Sequence, residues 1–271
     1  MNFWQALVLG AVQGLTEFLP VSSSGHLVVF QNAFGISGSI LLFDTMLHVG
    51  TLAAVFIVMW KDIVALLKKP ISNLMLYLII ATIPAVIAAL LFNKQIDAAF
   101  GSNAGVPLGI GFLITSLIMF ATPLFRPGKI EMEKMGVLRP FLIGIAQAIA
   151  ILPSISRSGS TLFAGLASGI KREDVARFSF LMSIPAILGG VVFNAKDVMS
   201  MGVGQSMQGI GLLAIIAGMV VAAITGFFAL KLVFDFVRNG KLWVFGVYTT
   251  VLGTLIILDS LFTHIIFKAA F

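Results

Sequence analysis

Long apolar runs separated by short polar stretches extend over most of the chain. Each run approaches the roughly 20 apolar residues that a helix needs to cross the hydrocarbon core of a bilayer. The pattern therefore predicts six full transmembrane helices. They are expected at about residues 40–60, 73–92, 106–125, 178–195, 209–230 and 242–262.

Two further apolar segments are interrupted by polar residues. The first contains QGLTEFLPVSSSGHL at residues 13–27, and the second contains QAIAILPSISRSGSTL at residues 147–162. Each segment has an apolar helix that is too short to cross a bilayer, a proline, a break rich in serine and glycine, and a second short apolar stretch. Such interruptions are typical of re-entrant helices, which enter the membrane and return to the same side.

The two interrupted segments match each other when one is shifted by 134 positions. The match indicates an internal duplication, and we expect an inverted-topology repeat within a single membrane domain. The aligned pairs are Gln13 with Gln147, Ser22 with Ser156, Ser24 with Ser158 and Gly25 with Gly159, while Ser23 is aligned with Arg157. Within residues 1–271, repeat one is expected at about 1–125 with its re-entrant segment at 5–34, and repeat two at about 138–262 with its re-entrant segment at 138–170.

The composition agrees with this architecture. Of the 271 residues, 59% are hydrophobic and 10% are charged, whereas soluble domains carry about 25% charged residues. Few residues remain for loops, so a separate soluble domain is excluded and the fold class is an all-α polytopic integral membrane protein. The absence of cysteine excludes disulfide bonds and thiolate metal sites.

The basic residues are distributed unevenly between the predicted loops. If the spans alternate and the 138–170 segment does not cross, thirteen Lys and Arg residues lie on the inside and three on the outside. An excess of positive charge marks the inside, so both termini are expected outside. We interpret the basic loops as orientation signals and contacts with anionic lipid headgroups, not as nucleic-acid-binding patches. The inside set is Lys61, Lys68, Lys69, Arg126, Lys129, Lys134, Arg139, Lys171, Arg172, Arg177, Lys231, Arg238 and Lys241, and the outside set is Lys94, Lys196 and Lys268.

The two breaks are expected to meet inside the protein. Unpartnered backbone N–H groups are costly in lipid, so non-helical backbone at membrane depth has to be buried or to line a wet cavity. The N–H groups at residues 22–25 and 156–159 would lie in the first turns of two helices. Free N–H groups at a helix N-terminus can bind an anion. Arg157 adds a positive fork that suits phosphate oxygens. Its alternative role is an ion pair with Glu17 that locks the two breaks together, and the two roles can coexist.

Four side chains around the first break are candidates for chemistry. Glu17 is predicted to be a general base or a metal ligand, and Gln13, one helical turn before it, can only orient or coordinate. Ser23 is the strongest candidate nucleophile, and a role as hydroxyl donor is nearly as well supported. A histidine alone is most often a hydrogen-bonded core residue, but beside Gly25 and three serines His26 is a candidate base or nucleophile for phosphoryl transfer.

The remaining polar residues have simpler expected roles. The serine and threonine hydroxyl groups are expected to cap helices and to donate to an anion. Asp44 and His48 share a helix face and serve either the site or a hydrogen bond at the helix start, and His264 receives no role. The predicted phosphate-binding residues are Ser22, Ser24, Gly25, Ser156, Arg157, Ser158, Gly159 and Thr161, and the supporting residues are Gln13, Gln147, Asp44 and His48.

The two segments resemble the signature motifs of the BacA-type undecaprenyl pyrophosphate phosphatases, the bacterial membrane enzymes also called bacitracin-resistance proteins. QGLTEFLPVSSSGH is similar to the family's [E/Q]xxxE motif and the serine-histidine run after it, and LPSISRSGST is similar to its PGxSRSxxT motif. Length, hydropathy and repeat arrangement extend the resemblance over essentially the whole chain. Gln13 stands at the first acidic position of the first motif, so the resemblance does not support a mechanism with two carboxylates here. Ser154 stands where the second motif usually has Gly.

The resemblance implies hydrolysis of a C55 isoprenyl diphosphate to its monophosphate and phosphate, at the outer face of the bacterial plasma membrane, with Mg²⁺ or Ca²⁺ as the cation. This reaction would recycle the lipid carrier of cell-wall synthesis and confer bacitracin resistance. By position, Glu17 would be the acid/base or metal residue, Ser23 the nucleophile or its partner, and His26 a second catalytic residue. The implied phosphate clamp is Ser156, Arg157, Ser158, Gly159 and Thr161.

Other functions fit the same pattern. Inverted re-entrant repeats around a midplane site are also transporter architecture, so a transporter or flippase for phosphorylated lipid is the main alternative. A non-catalytic resistance or scaffold protein is a weaker alternative, because it leaves Glu17, His26 and Arg157 without a use. A homodimer stays open, although the small residues Gly218 and Ala222 are more typical of internal helix packing.

Overall fold

The computed structural model describes residues 1–36, 40–99, 105–201 and 209–267, and these parts of the chain form eleven α-helices with a few short 3₁₀ and π-helical turns. Within them, strand-like pairing is limited to one bridge between Ile130 and Ile170. The predicted all-α fold is therefore confirmed. The helices are α1 Phe3–Phe18, α2 Ser23–Ala33, α3 Leu41–Val58, α4 Trp60–Lys68, α5 Asn73–Ala99, α6 Gly105–Ala121, α7 Leu138–Ile149, α8 Arg157–Ala167, α9 Arg172–Met201, α10 Leu212–Arg238 and α11 Trp243–Leu258.

Six of the described segments are long and apolar enough to cross a membrane, which confirms the six predicted spans. The span formed by α9 begins at Arg172, earlier than the predicted residue 178. Its first turn contains Glu173 and Asp174, whose carboxylates interact favourably with the positive end of the helix dipole. Lys268, which the orientation prediction assigned to the outside, lies outside the described residues. The six segments are Leu41–Val58, Asn73–Phe92, Gly105–Leu124, Arg172–Ser200, Leu212–Arg238 and Trp243–Thr263.

The two interrupted segments each form a pair of short helices joined by a non-helical break. The longest of these helices, α1, has 16 residues and measures about 24 Å, less than the roughly 30 Å of bilayer hydrocarbon. The helices that follow the breaks, α2 and α8, both have 11 residues. They begin at Ser23 and Arg157, which are 134 positions apart. The shift found in the sequence thus also aligns the helices that follow the breaks.

The N-terminal half, α1 to α6, and the C-terminal half, α7 to α11, are interlocked. The first helix of each half packs on a long helix of the other half: α1 packs on α10, and α7 packs on α5. Glycines allow these close contacts, since a Cβ atom at Gly10 or Gly14 would overlap the backbone of α10, and one at Gly144 would meet the backbone of Ala81. The helix pairs α3–α9 and α6–α11 also join the two halves.

The small residues of α10 serve this internal packing. A Cβ atom at Gly218 would lie 3.0 Å from the ring of Phe43 and 3.1 Å from the carbonyl oxygen of Ala6, and Ala222 is fully buried. The interpretation of Gly218 and Ala222 as an internal packing face is confirmed.

A loop network holds the connection between α6 and α7 against the end of α8. The N–H group of Ile130 donates to the carbonyl oxygen of Gly169, and the N–H group of Lys171 donates to the carbonyl oxygen of Ile130. The carboxylate of Glu131 forms exposed ion pairs of 2.8 Å with both Lys134 and Lys171. The hydrogen bonds from these two ammonium groups lower the pKa of Glu131 to about 2, so its carboxylate stays charged at neutral pH.

Candidate active site

An ion pair between a buried carboxylate and a partly buried guanidinium group joins the two breaks. Glu17 lies in the last turn of α1, and Arg157 is the first residue of α8. The Nη2 atom of Arg157 donates to Oε1 of Glu17 over 2.7 Å, although the two residues are 140 positions apart in the sequence. Their side chains are 20% and 5% exposed, respectively. Since a buried charge without a partner is costly, each of the two ions holds the other in place.

The second carboxylate oxygen of Glu17, Oε2, has three further contacts. The hydroxyl group of Ser23 donates to Oε2 over 2.7 Å, and Nε2 of Gln13 donates to it over 2.8 Å. The Nδ1 atom of His48 lies 3.5 Å from Oε2 and 2.9 Å from Nε2 of Gln13. We call Gln13, Glu17, Ser23, His48 and Arg157 the Glu17 network; it gathers polar side chains of α1, α2, α3 and α8. The carboxylate is placed to receive the proton of Ser23.

Two helix N-termini begin beside this network. Ser22 is the N-cap of α2, and its side chain accepts from the N–H group of Gly25 over 3.5 Å. Ser156 is the N-cap of α8, and its side chain accepts from the N–H group of Gly159 over 3.1 Å. Each N-cap hydroxyl group also contacts the hydroxyl group of a serine two positions later. The distance is 3.4 Å from Ser22 to Ser24 and 3.1 Å from Ser156 to Ser158. The N-terminal N–H groups of both helices carry partial positive charge, which favours an anion.

Two residues of α8 use their hydroxyl groups for packing. Ser158 donates to the carbonyl oxygen of Leu19 over 3.0 Å, which fastens the second break to the first. Thr161 contacts the hydroxyl group of Ser179 on α9 at 2.6 Å and bonds back to the carbonyl oxygen of Arg157. Thr161 therefore anchors α8 to α9, and its hydroxyl group is engaged one turn away from the break.

His26 is bonded outside the Glu17 network. Its Nδ1 atom lies 2.6 Å from the carbonyl oxygen of Ser22, and its Nε2 atom lies 2.7 Å from the hydroxyl group of Tyr248 on α11. Tyr248 was not predicted from the sequence, because a tyrosine within an apolar span does not show which buried group its hydroxyl group contacts.

Three predicted supporting residues take different positions. Asp44 and His48 share a face of α3 as expected, and of these two residues His48 belongs to the Glu17 network through its contacts with Gln13 and Glu17. The carboxylate of Asp44 accepts from Nε2 of Gln31 at 3.0 and 3.2 Å, which ties α3 to α2. Gln147 is buried, and neither polar atom of its amide has a hydrogen-bond partner in the described part of the chain.

Comparisons with known proteins identify the family of the chain. The family model for bacitracin resistance protein BacA matches residues 6–255. The chain belongs to the BacA family. It is 43% identical over 96% of its length to the undecaprenyl-diphosphatase of Carboxydothermus hydrogenoformans, of which 98% is covered. It is 40% identical to undecaprenyl-diphosphatase 4 of Bacillus thuringiensis and 35% identical to the undecaprenyl-diphosphatase of Methanobrevibacter smithii, covering 98% of this chain and 100% of each relative.

Ser154, in the break before α8, is under backbone strain. Ser154 has a φ of 59°, a left-handed conformation that glycine adopts readily and other residues adopt at a cost. The Oγ atom of Ser154 is buried without a hydrogen-bond partner in the described residues. A glycine at this position would avoid both costs.

We expect that Ser154→Gly raises the stability of this BacA-family protein by about 1 kcal/mol, because it removes the strain of a side chain at positive φ. Thermal unfolding of the purified protein in detergent measures the effect. Ser154→Ala is the matched comparison, since it removes the hydroxyl group and keeps the strained Cβ atom. Equal stabilisation by both variants would assign the gain to the buried hydroxyl group and not to the backbone.

The residues that could hold a divalent cation in this BacA-family site are oxygen donors of α1. In the described part of the chain, no three His, Asp or Glu side chains form a group that could hold a metal ion by themselves. However, Oε1 of Gln13 is buried without a partner beside the carboxylate of Glu17. Mg²⁺ is commonly bound through one or two carboxylates together with substrate phosphates, so Glu17 and Gln13 fit such an ion.

Proposed function

We propose that this BacA-family protein is an undecaprenyl-diphosphatase of the bacterial plasma membrane. It hydrolyses undecaprenyl diphosphate to undecaprenyl phosphate and inorganic phosphate, which recycles the lipid carrier for cell-wall synthesis and gives resistance to bacitracin. Relatives that are 35 to 43% identical over nearly the whole chain carry this activity in their names. The observation that carries the proposal most directly is the buried Glu17–Arg157 ion pair at the meeting point of two helix N-termini.

The site has the positive groups that a diphosphate requires. Arg157 has five N–H donors, and its 2.7 Å bond to Glu17 is made by Nη2. Donors of the same guanidinium group and the N–H groups at the starts of α2 and α8 are fixed before the substrate arrives. Fixed donors stabilise the charge that develops on the phosphate oxygens in the transition state, because they need no reorganisation at the moment of reaction.

The proposed reaction begins at Ser23. Glu17 takes the proton of the Ser23 hydroxyl group, the Ser23 oxygen bonds to the terminal phosphorus, and the bond from that phosphorus to the bridging oxygen breaks. Undecaprenyl phosphate leaves with the bridging oxygen, which takes up the proton from Glu17. Glu17, again a carboxylate, then deprotonates a water molecule that attacks the phosphorus on Ser23. The bond from this phosphorus to Ser23 breaks, and the Ser23 oxygen takes the proton from Glu17 as phosphate leaves. Direct attack by water is the alternative, in which Ser23 only orients that water.

A divalent cation, Mg²⁺ or Ca²⁺, is part of the proposal. When bound, such an ion would supply positive charge against the diphosphate oxygens. Glu17 and Gln13 are the residues that would hold it, and Ser23 and Arg157 keep their own roles on the nucleophile and the phosphates.

Two re-entrant pairs in an inverted repeat are the proposed arrangement in the membrane. The α1–α2 pair enters from the outer face and the α7–α8 pair from the inner face, so the active site opens to the outside and both termini are outside. The short helices, the matching 134-position shift and the reciprocal packing of the two halves support this arrangement. A homodimer stays a prediction. The small-residue face of α10 does not support it, because that face is already covered by α1.

The orientation can be tested by cysteine labelling, because the chain contains no native cysteine. We expect Asn2→Cys to react with a membrane-impermeant maleimide in intact cells, and Lys68→Cys to react only after permeabilisation. Both positions are exposed. The reverse pattern would place the termini and the site opening on the inside.

The activity is tested by phosphate release from undecaprenyl diphosphate by the purified protein in detergent. We expect release that requires Mg²⁺ or Ca²⁺ and stops when the cation is chelated. Lipid that binds without release of phosphate would reject the phosphatase and favour the transporter. Release that persists after complete chelation would keep the phosphatase and reject the cation.

A further inference from the structure

A hydrogen-bonded chain runs from α11 to the backbone of the first break. The hydroxyl group of Tyr248 lies 2.7 Å from Nε2 of His26, and Nδ1 of His26 lies 2.6 Å from the carbonyl oxygen of Ser22. A carbonyl oxygen can only accept, so Nδ1 carries a proton. In a neutral imidazole ring, Nε2 is then the acceptor, and Tyr248 donates to it.

Aromatic contacts fix the His26 ring in this position. The ring stacks on Tyr248 with centroids 5.6 Å apart and an interplanar angle of 7°. The ring of Phe112 on α6 meets it edge-on at 5.2 Å and 88°. Only 3% of His26 is exposed. In the described part of the chain, no hydrogen bond or ion pair joins the His26 ring to Glu17 or Ser23, whose own contacts lie within the Glu17 network.

The carbonyl group that His26 holds belongs to a strained residue. Ser22 has a φ of 70°, which is unfavourable for any residue other than glycine and persists only when its surroundings hold it. The second break provides an internal comparison. There, the N-cap Ser156 has an ordinary φ of −71°, and Ser160 occupies the position that matches His26. Of the two breaks, the one with the strained N-cap thus has a histidine four residues after that N-cap, and the other has a serine.

We propose that His26 and Tyr248 act as a positioning clamp and that the ring of His26 does not transfer a proton in the reaction. The clamp holds the carbonyl group of Ser22, and the backbone of Ser22 in turn directs the next residue, Ser23, towards Glu17. The carbonyl group of Ser22 fixes the tautomer of the His26 ring, and the bond from Tyr248 to Nε2 fixes the orientation of that ring. The inference rests on the proposed phosphatase function and assigns His26 a role different from the catalytic one expected from the sequence.

Substitutions that imitate one ring nitrogen at a time test the clamp. The amide of asparagine can place an N–H donor near the Nδ1 position, whereas glutamine places its amide near Nε2. We expect His26→Ala to lower kcat about 100-fold, and His26→Asn to recover at least tenfold of that loss. His26→Gln should remain near the alanine variant. Tyr248→Phe, which keeps the stacked ring, should lower kcat about tenfold with little change in KM, as expected for the loss of one buried hydrogen bond.

A double substitution tests whether the two residues act together. In the His26→Asn protein, which lacks a partner for the tyrosine hydroxyl group, Tyr248→Phe should change kcat less than twofold. The clamp is overturned if His26→Asn is no more active than His26→Ala, because the ring itself is then required. It is also overturned if Tyr248→Phe costs the same tenfold in both backgrounds, because Tyr248 then acts independently.

Hydrogen–deuterium exchange tests the clamp without relying on activity. His26→Ala and Tyr248→Phe should each increase amide exchange in the peptide that covers residues 22–27, and His26→Asn should increase it less. The peptide that covers residues 157–167 is the internal control and should not change. Unchanged exchange at 22–27 in all three variants would reject the clamp. If the wild-type protein releases no phosphate but the variants show the expected increases in exchange, the proposed function is rejected and the clamp is kept.

Discussion

Arg157→Ala is expected to lower the rate of phosphate release by about 10²- to 10³-fold, because Arg157 supplies fixed positive charge at the point where both helix N-termini meet. Arg157→Lys keeps the charge but loses the planar fork, so we expect it to recover only part of the activity. The measurement is kcat and KM for undecaprenyl diphosphate at saturating cation.

Arg177→Ala is the matched control for this prediction. Arg177 is half exposed and lies 3.9 Å from Asp62, outside the Glu17 network, so its removal should leave the rate near that of wild type. The Arg157→Ala protein also leaves the buried Glu17 carboxylate without its ion-pair partner, which costs several kcal/mol in comparable cases. Activity is therefore compared only between preparations that are monodisperse at the assay temperature. Near-wild-type turnover by such an Arg157→Ala protein would remove Arg157 from the mechanism.

Glu17→Gln is expected to cause the largest loss, more than about 10³-fold, because the same carboxylate holds Arg157 and receives the proton of Ser23. Glutamine has nearly the same shape, so the loss reports on charge and basicity. Glu17→Asp keeps the charge, but its shorter side chain cannot reach both partners, and we expect it to be severely impaired as well.

Glu173→Gln, at an exposed carboxylate in the first turn of α9, is the control for the removal of one negative charge. The double variant Glu17→Gln with Arg157→Ala should be about as inactive as Glu17→Gln alone, because the two residues act as one unit. Multiplicative losses in the double variant, or a Glu17→Gln protein within tenfold of wild type, would contradict the assignment of Glu17 as the base.

The sequence predicted the six spans because each long apolar run has the length that a bilayer demands, independently of its neighbours. The alternative role predicted for Arg157, an ion pair with Glu17 at 140 positions' distance, is confirmed. It could be anticipated because non-helical backbone at membrane depth has to be buried in protein or to line a cavity, which favours contact between the two breaks. The serine N-caps Ser22 and Ser156 could be identified because N-capping depends on local sequence.

The sequence did not predict which polar groups turn towards each other between helices. Tyr248 and His26 are 222 positions apart, and their bond depends on how α11 is rotated relative to α2. In the same way, the i, i+4 spacing placed Asp44 and His48 on one face but could not show that His48 contacts the Glu17 network while Asp44 contacts Gln31. These choices are made by tertiary packing, for which a hydrophobic pattern carries no information.

The reciprocal packing of the two halves also determines when the helix that carries Glu17 can be fully packed during synthesis. The helix that carries Glu17 packs its glycine face on α10, which begins at Leu212, 194 positions after α1 ends at Phe18. While the ribosome is still adding α2 to α9, the glycine face of α1 has no partner to cover it. The glycine face of α1 therefore stays uncovered until α10 has entered the membrane, although all the residues of the Glu17 network are present once α8 has been made.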